Sequence, residues 1–157
     1  SSKIQTYIIE PELFNSKEAF DRELISIINQ DGAELIVLAG YMRVLTPLFI
    51  SNYFGKILNI HPSLLPKFPG LNTHQKAIDA SEKIHGASVH FVTDKLDGGP
   101  IISQEKVIIE AEDTAKTLSD KVLKKEHIIF PKVIHWYTQR RLKLINNLQA
   151  TLDGKKI

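Results

Sequence analysis

Asn59 and His61 close a short apolar run, residues 57–60, in the stretch Asn59-Ile60-His61-Pro62-Ser63-Leu64-Leu65-Pro66. Residues two apart on a strand point to one face, so an amide and an imidazole stand side by side where this strand ends. Open α/β sheets bind their ligands at that edge. Pro62, Pro66 and Pro69 then fix φ at three points, which makes the loop beyond stiff. The acid that completes the set is Asp97, in a glycine-flanked turn after a strand of the same expected sheet. An amide donates to an oxyanion growing on a carbonyl carbon, an imidazole gives or takes a proton, and a carboxylate fixes the imidazole's tautomer. Together they suit acyl transfer through a tetrahedral intermediate without a covalent enzyme adduct. Taken singly, Asn59 and Asp97 read as turn formers and His61 as a satisfied core residue.

Other chemistries lack their patterns. His61, His74, His85, His90, His127 and His135 show no HExxH or HxH spacing and no carboxylate-rich cluster beside a pair, so no metal site is expected. Nucleophile-elbow and phosphate-loop glycine motifs are absent from the sequence. With no cysteine there is no disulfide framework, thiolate nucleophile or cysteine zinc site. A net charge of +2 gives no electrostatic footprint for nucleic acid. No apolar run reaches the ~20 residues that span a bilayer, and the composition is ordinary for a globular cytoplasmic protein.

The elements that must position these residues follow from pattern. Residues 3–9 read as a strand. Asn15, with Glu18 three residues on, offers a capping box for a helix carrying Phe20, Leu24, Ile27 and Ile28 on one stripe and ending at Asp31-Gly32. Residues 35–39 are an apolar run suited to a strand buried on both faces, and Thr46-Pro47 starts a short helix that Gly55 ends. Strand and helix in alternation imply parallel crossovers. Residues 87–93 and 101–109 read as strands about a turn, and a long helix begins near Asp113 or Thr114 and passes Trp136, with Pro131 as a kink. Residues 142–145 and 150–152 suggest two final short strands. Without a linker, residues 1–157 read as a single α/β domain.

Three segments carry a resemblance: Leu38-Ala39-Gly40-Tyr41-Met42-Arg43-Val44-Leu45, residues 59–74, and Ser88 through Pro100 with Thr93-Asp94-Lys95-Leu96-Asp97-Gly98-Gly99 at its centre. In this order they resemble the phosphoribosylglycinamide formyltransferases, folate-dependent enzymes of purine synthesis, from about Ile4 to near the C-terminus. The resemblance implies a Rossmann-like formyltransferase fold, with a mostly parallel sheet flanked by helices. It implies formyl transfer from 10-formyltetrahydrofolate, as co-substrate, to the amine of glycinamide ribonucleotide. Asn59 would hold the oxyanion, and His61 would move protons. Asp97 would support the protonated form of His61 and order water. Met42, Arg43, Val44 and Leu45 match the segment lining the folate pocket, and Thr93, Asp94, Lys95, Leu96 and Asp97 match the loop closing over the ring. Glu126 matches the acid that contacts the acceptor's ribose. Lys17 stands where some members carry an arginine near the folate; the charge survives, but the bidentate fork does not. Formyltetrahydrofolate deformylases share the trio but typically carry a histidine where Pro62 stands here.

Relative to the family, the chain is expected to lack an N-terminal βαβα segment holding the acceptor's phosphate. That implies a displaced or re-paired strand at residues 3–9 and apolar sheet edges open to self-association. It also leaves, beside the transferase and the deformylase, the reading of an inactive fragment that binds folate or its own copies.

Overall fold

A computed structural model describes residues 4–157. Its main sheet runs β1 (Ile36–Leu38), β2 (Ile57–His61), β3 (Ile84–Phe91), β4 (Ile101–Ile108), in that spatial order. β1 and β2 are parallel, joined through α2 (Pro47–Asn52), whereas β2–β3 and β3–β4 are antiparallel. The α/β class with flanking helices is as the sequence implies, but the expected mostly parallel sheet is a mixed one. For β3 and β4 the connection explains this: residues 92–100 form a short turn with no helix, and a short turn can only return the chain antiparallel. The carboxyl end of β2, where Asn59 and His61 sit, is still a strand end of a parallel pair.

Helix α1 (Lys17–Gln30) is capped by Ser16, whose Oγ accepts from the Ala19 N–H at 3.0 Å. The expected cap at Asn15 is corrected. With Ser16 as the cap, Glu18 falls one position short of the site from which a reciprocal bond reaches back. Thr46 caps α2, with Pro47 in the first turn as expected. Thr114 and Thr117 form a capping box that starts α4 (Ala115–Thr138), which carries Pro131 inside it. Three features lie outside the sequence reading: a 3₁₀ turn at Pro11–Leu13, α3 (Thr73–Asp79) and a third strand in the C-terminal sheet. That sheet comprises β5 (Leu142–Asn146), β6 (Gln149–Leu152) and β7 (Lys155–Lys156).

Of the strand expected over residues 3–9, Lys3 lies outside the described residues, and residues 4–10 take no regular structure. Ile4 and Ile8 are exposed. Strand propensity stabilises only when a ladder is available. Here the segment lies along α1, where the Tyr7 hydroxyl donates to Asp31 Oδ1 at 2.9 Å and Ile8 and Ile9 share a groove with Glu23 and Ile27.

Two cores flank the main sheet. On one face Leu58, Ile60, Val89 and Phe91 pack against Leu118, Val122, Ile129 and Val133 of α4. On the other, Ile57 joins Leu45, Phe49, Ile50 and Tyr53, with Leu24, Ile25 and Ile28 of α1 against them. Each such buried side chain contributes about 1.5–3 kcal/mol. The period of two along β2 now places the polar residues: Leu58 and Ile60 face α4, so Ile57, Asn59 and His61 face the opposite side. Ile57 anchors that face, and the site continues it.

Candidate active site

Register brings a second histidine to the amide. Asn59 is paired directly with His90 across β2 and β3, and His61 with Ser88, so each pair shares a face. His90 Nδ1 donates to the Phe91 carbonyl at 2.8 Å, which leaves Nε2 as an acceptor. Asn59 Nδ2 lies 3.1 Å from that Nε2 and donates to it. The orientation of the amide is thereby fixed, with one N–H engaged and the second N–H and the carbonyl uncommitted. Burial pushes the His90 pKa down, partly offset by its bond to the Phe91 carbonyl and by Asp97. His90 therefore stays the neutral acceptor this bond needs.

His61 and Asp97 meet from separate loops. His61 Nε2 donates to the Phe68 carbonyl at 2.9 Å, so Nδ1 is the nitrogen turned to Asp97, 3.5 Å from Oδ2. Asp97 Oδ1 lies 3.8 Å from His90 Nε2. Neither separation is a direct hydrogen bond. Asp97 Oδ2 does accept one, from the Gly70 N–H at 2.8 Å, which ties the turn after β3 to the loop after β2. Asp97 adopts φ +47, in the left-handed region where Asp and Asn are the tolerated side chains, and its carboxylate is buried.

The loop after β2 is clamped from below. Ser88 Oγ donates to the Ser63 carbonyl at 2.6 Å and accepts from Leu65 N–H at 3.0 Å and Gln104 Nε2 at 2.7 Å. Gln104 Nε2 also reaches the Leu65 carbonyl, at 2.9 Å. The stiffness read from the prolines is thus reinforced by side chains of β3 and β4. His85 Nε2 and His74 Nδ1 lie 3.2 Å apart, a hydrogen bond that ties α3 to β3 beneath this loop.

Above these groups opens a cleft of about 530 Å³, lined by Met42, Asn59, His61, Gly70, Asp97 and Glu126 among others. A smaller cavity of about 70 Å³ adjoins it, sharing Tyr41, Arg43, Val44, Asn59, Leu96 and Asp97 and adding Leu45, Thr93, Asp94 and Lys95. Every expected site residue except one therefore lines one of the two cavities. Lys17, the first residue of α1, lines neither; its helix contributes Phe20, over which the Arg43 guanidinium lies 4.9 Å from the ring centre. Burial pushes the Glu126 carboxyl upward against the opposing pull of His127 and His61. Burial likewise lowers the His74 imidazole, with His61 adding to the effect.

Sequence reasoning passed over His90, Ser88, Gly70 and Tyr41. The first two carry a signal only once the antiparallel register sets His90 opposite Asn59 and Ser88 opposite His61. Among the described residues, the buried side-chain oxygens without a hydrogen-bond partner are the Tyr41 hydroxyl and Thr73 Oγ1, and both residues line the larger cleft.

Residues 1–134 match the formyl transferase family. The chain is 49% identical over 154 residues to the phosphoribosylglycinamide formyltransferase of Escherichia coli (strain K12), covering 98% of this chain and 72% of that protein. The phosphoribosylglycinamide formyltransferase structure from Coxiella burnetii superposes with a TM-score of 0.87 at 49% identity, over 93% of this chain and 68% of that one. The glycinamide ribonucleotide transformylase 1 structure from Symbiobacterium toebii gives 0.88 at 38% identity, over 92% and 68%.

Proposed function

The chain belongs to the formyl transferase family, and from that premise we propose that it transfers the formyl group of 10-formyltetrahydrofolate to the primary amine of glycinamide ribonucleotide, in the cytoplasm. The observation that carries this reading is the convergence of Asn59, His61 and Asp97 on one cleft, with His90 holding the amide.

In this reading the amine nitrogen attacks the formyl carbon, and the carbonyl oxygen gains charge. Asn59, held by His90 through one N–H, offers the other to that oxygen. A preorganised donor of this kind stabilises the charge without reorganising. His61 takes the proton that the amine loses as the new C–N bond forms, and returns it to N10 as the C–N10 bond breaks. The buried Asp97 carboxylate faces that imidazole and orders water beside it. Met42, Arg43, Val44, Leu45 and the 93–97 turn bind the folate. Glu126 binds the ribose hydroxyls of the acceptor. Lys17 is assigned no contact.

The chain spans 72% of the length of its E. coli relative, so the test compares two proteins. Formyl transfer is measured for the 157-residue chain and for a version extended with the part of that relative which this chain does not cover. Transfer to the amine by either protein, lost in His61→Ala, supports the proposal. Formate release with no amine product would make the protein a deformylase. Folate binding with neither product would make it a binding fragment.

A further inference from the structure

Of the charged side chains on α1, only Asp21 is buried, at 2% exposure. Carboxylates are seldom buried so fully without a partner. The partner here is the backbone of another element: Asp21 Oδ2 accepts from the Thr46 N–H at 2.7 Å. No step of the formyl transfer described above uses this pair.

Capping of α2 does not account for it. Thr46 caps that helix with its own Oγ1, which accepts from the Phe49 N–H at 3.3 Å, and Pro47 has no N–H to satisfy. In a capping box the N–H of the cap residue itself is taken by a Glu or Gln three residues on, but Phe49 stands at that place. Asp21 supplies the missing acceptor from a different helix. That helix is firmly seated, with Phe20 buried and Leu24, Ile25 and Ile28 packed on the second core.

The segment that ends at Thr46 gives the bond its consequence. Among the described residues, the backbone of residues 41–45 makes no hydrogen bond within the protein, so its N–H and C=O groups are uncommitted. Met42, Arg43 and Val44 line the larger cleft, and Leu45 lines the smaller cavity. Without a ladder or a turn of its own, the segment is placed from outside. Two adjacent residues of α1 do this: Phe20 lies under the Arg43 guanidinium, 4.9 Å from ring centre to carbon, and Asp21 holds Thr46.

We propose that Asp21 is a positioning residue for the formyl donor: by holding the Thr46 N–H it sets where the uncommitted backbone of residues 42–45 stands against the cleft. The inference rests on the folate reading and adds to it a residue that lines neither cavity. Its test is the Kd of 10-formyltetrahydrofolate and the ligand-free melting temperature, measured on the full chain, Asp21→Ala, Asp21→Asn and Leu24→Ala. Asp21→Ala frees the Thr46 N–H and is expected to bind the donor about tenfold more weakly, the scale of one hydrogen bond to a charged group. Asp21→Asn keeps an oxygen for that N–H and should stay within about threefold of the parent. Leu24→Ala, a truncation elsewhere on the same helix, should melt lower and bind the donor unchanged. Parent-like affinity in Asp21→Ala would overturn the inference and leave the folate reading standing. Equal weakening in Leu24→Ala and Asp21→Ala would also overturn it, because the effect would then be that of a loosened helix. No donor binding by the parent would remove the folate reading, and the inference with it.

Discussion

Asn59 Nδ2 donates to His90 Nε2 at 3.1 Å, across a strand pair in which the two residues are directly opposite. The imidazole can accept only because its other nitrogen is spent on the Phe91 carbonyl. The amide thus has a fixed orientation before any ligand arrives, which is the condition for electrostatic preorganisation. Asn59→Ala is expected to lower kcat about 100- to 1,000-fold, the cost of one oxyanion donor. His90→Leu should lower kcat by less, on the order of tenfold, with KM little changed, because the donor survives with its orientation lost. A double-mutant cycle decides the relation. In the Asn59→Ala background His90→Leu should cost nothing further in kcat, and full additivity would refute the coupling.

Asp97 performs two tasks that substitution can separate. Its carboxylate faces His61, and one of its oxygens also holds the Gly70 N–H at 2.8 Å. Asn keeps an oxygen for Gly70 and tolerates the φ of +47; Ala keeps neither advantage. Asp97→Asn is therefore expected to retain the parent's melting temperature while losing most of kcat. Asp97→Ala should lose activity and also about 1–2 kcal/mol or more of stability, from the left-handed backbone and the freed loop. Matching urea midpoints for the two variants would contradict this division.

Acid should loosen the clamped loop. Burial lowers the His85 pKa to about 4, with His74 the next cause, and His74 and His90 are also lowered, chiefly by burial. A histidine whose folded pKa is depressed stays neutral in the folded state while the unfolded chain takes up protons below pH 6.5. Its contribution is fully present above pH 6.5 and is lost as pH falls toward 4. For His85 alone the loss by pH 4.5 is on the order of 2–3 kcal/mol. Urea unfolding at pH 7.5 and 4.5 measures it. His85→Gln, which cannot titrate, should show a smaller difference between the two, and an unchanged difference would show that His85 is not the group responsible.

How much of this was legible in the sequence follows from the range of each interaction. The spacing of Asn59 and His61 on an apolar run, the Thr46-Pro47 and Thr114 helix starts, and the stripe of Phe20 and Leu24 are local, and each is found in place. Failures occur where a distant partner decides. Residues 4–10 have strand propensity but no ladder beside them. The cap is the local exception: Ser16 takes it from Asn15 by a one-residue difference in reach. The turn chemistry of residues 94–100 is local and legible, whereas the antiparallel pairing of β3 and β4 that it imposes overrides the mostly parallel expectation. The same blindness hid His90 and Ser88, since a residue opposite another across a ladder is adjacent only once register is known.

Two neighbouring glycines in that turn give the sharpest test of how the scaffold positions Asp97. A Cβ on Gly99 would lie 1.9 Å from the Phe91 carbonyl oxygen and 3.2 Å from Thr93 Cγ2. Phe91 is fully buried in the core and its N–H is bonded to the Pro100 carbonyl at 3.0 Å, so that oxygen cannot yield. The turn itself must move, and Asp97 with it. Gly99→Ala is expected to cost about 1–3 kcal/mol as overpacking. A displacement near 1 Å at Asp97 would further reduce kcat by about 100-fold, although residue 99 touches no substrate. At Gly98 the added Cβ meets Lys95 Cδ and Cγ at 2.5 Å. Cδ and Cγ can rotate away, and Lys95 Cβ, at 3.0 Å, need give only a few tenths of an ångström, so Gly98→Ala should cost less than Gly99→Ala and keep most of its kcat. Melting temperature and kcat for the pair check the claim together. A Gly99→Ala protein as stable and active as the parent would mean that close approach to Phe91 does not hold the acid in place.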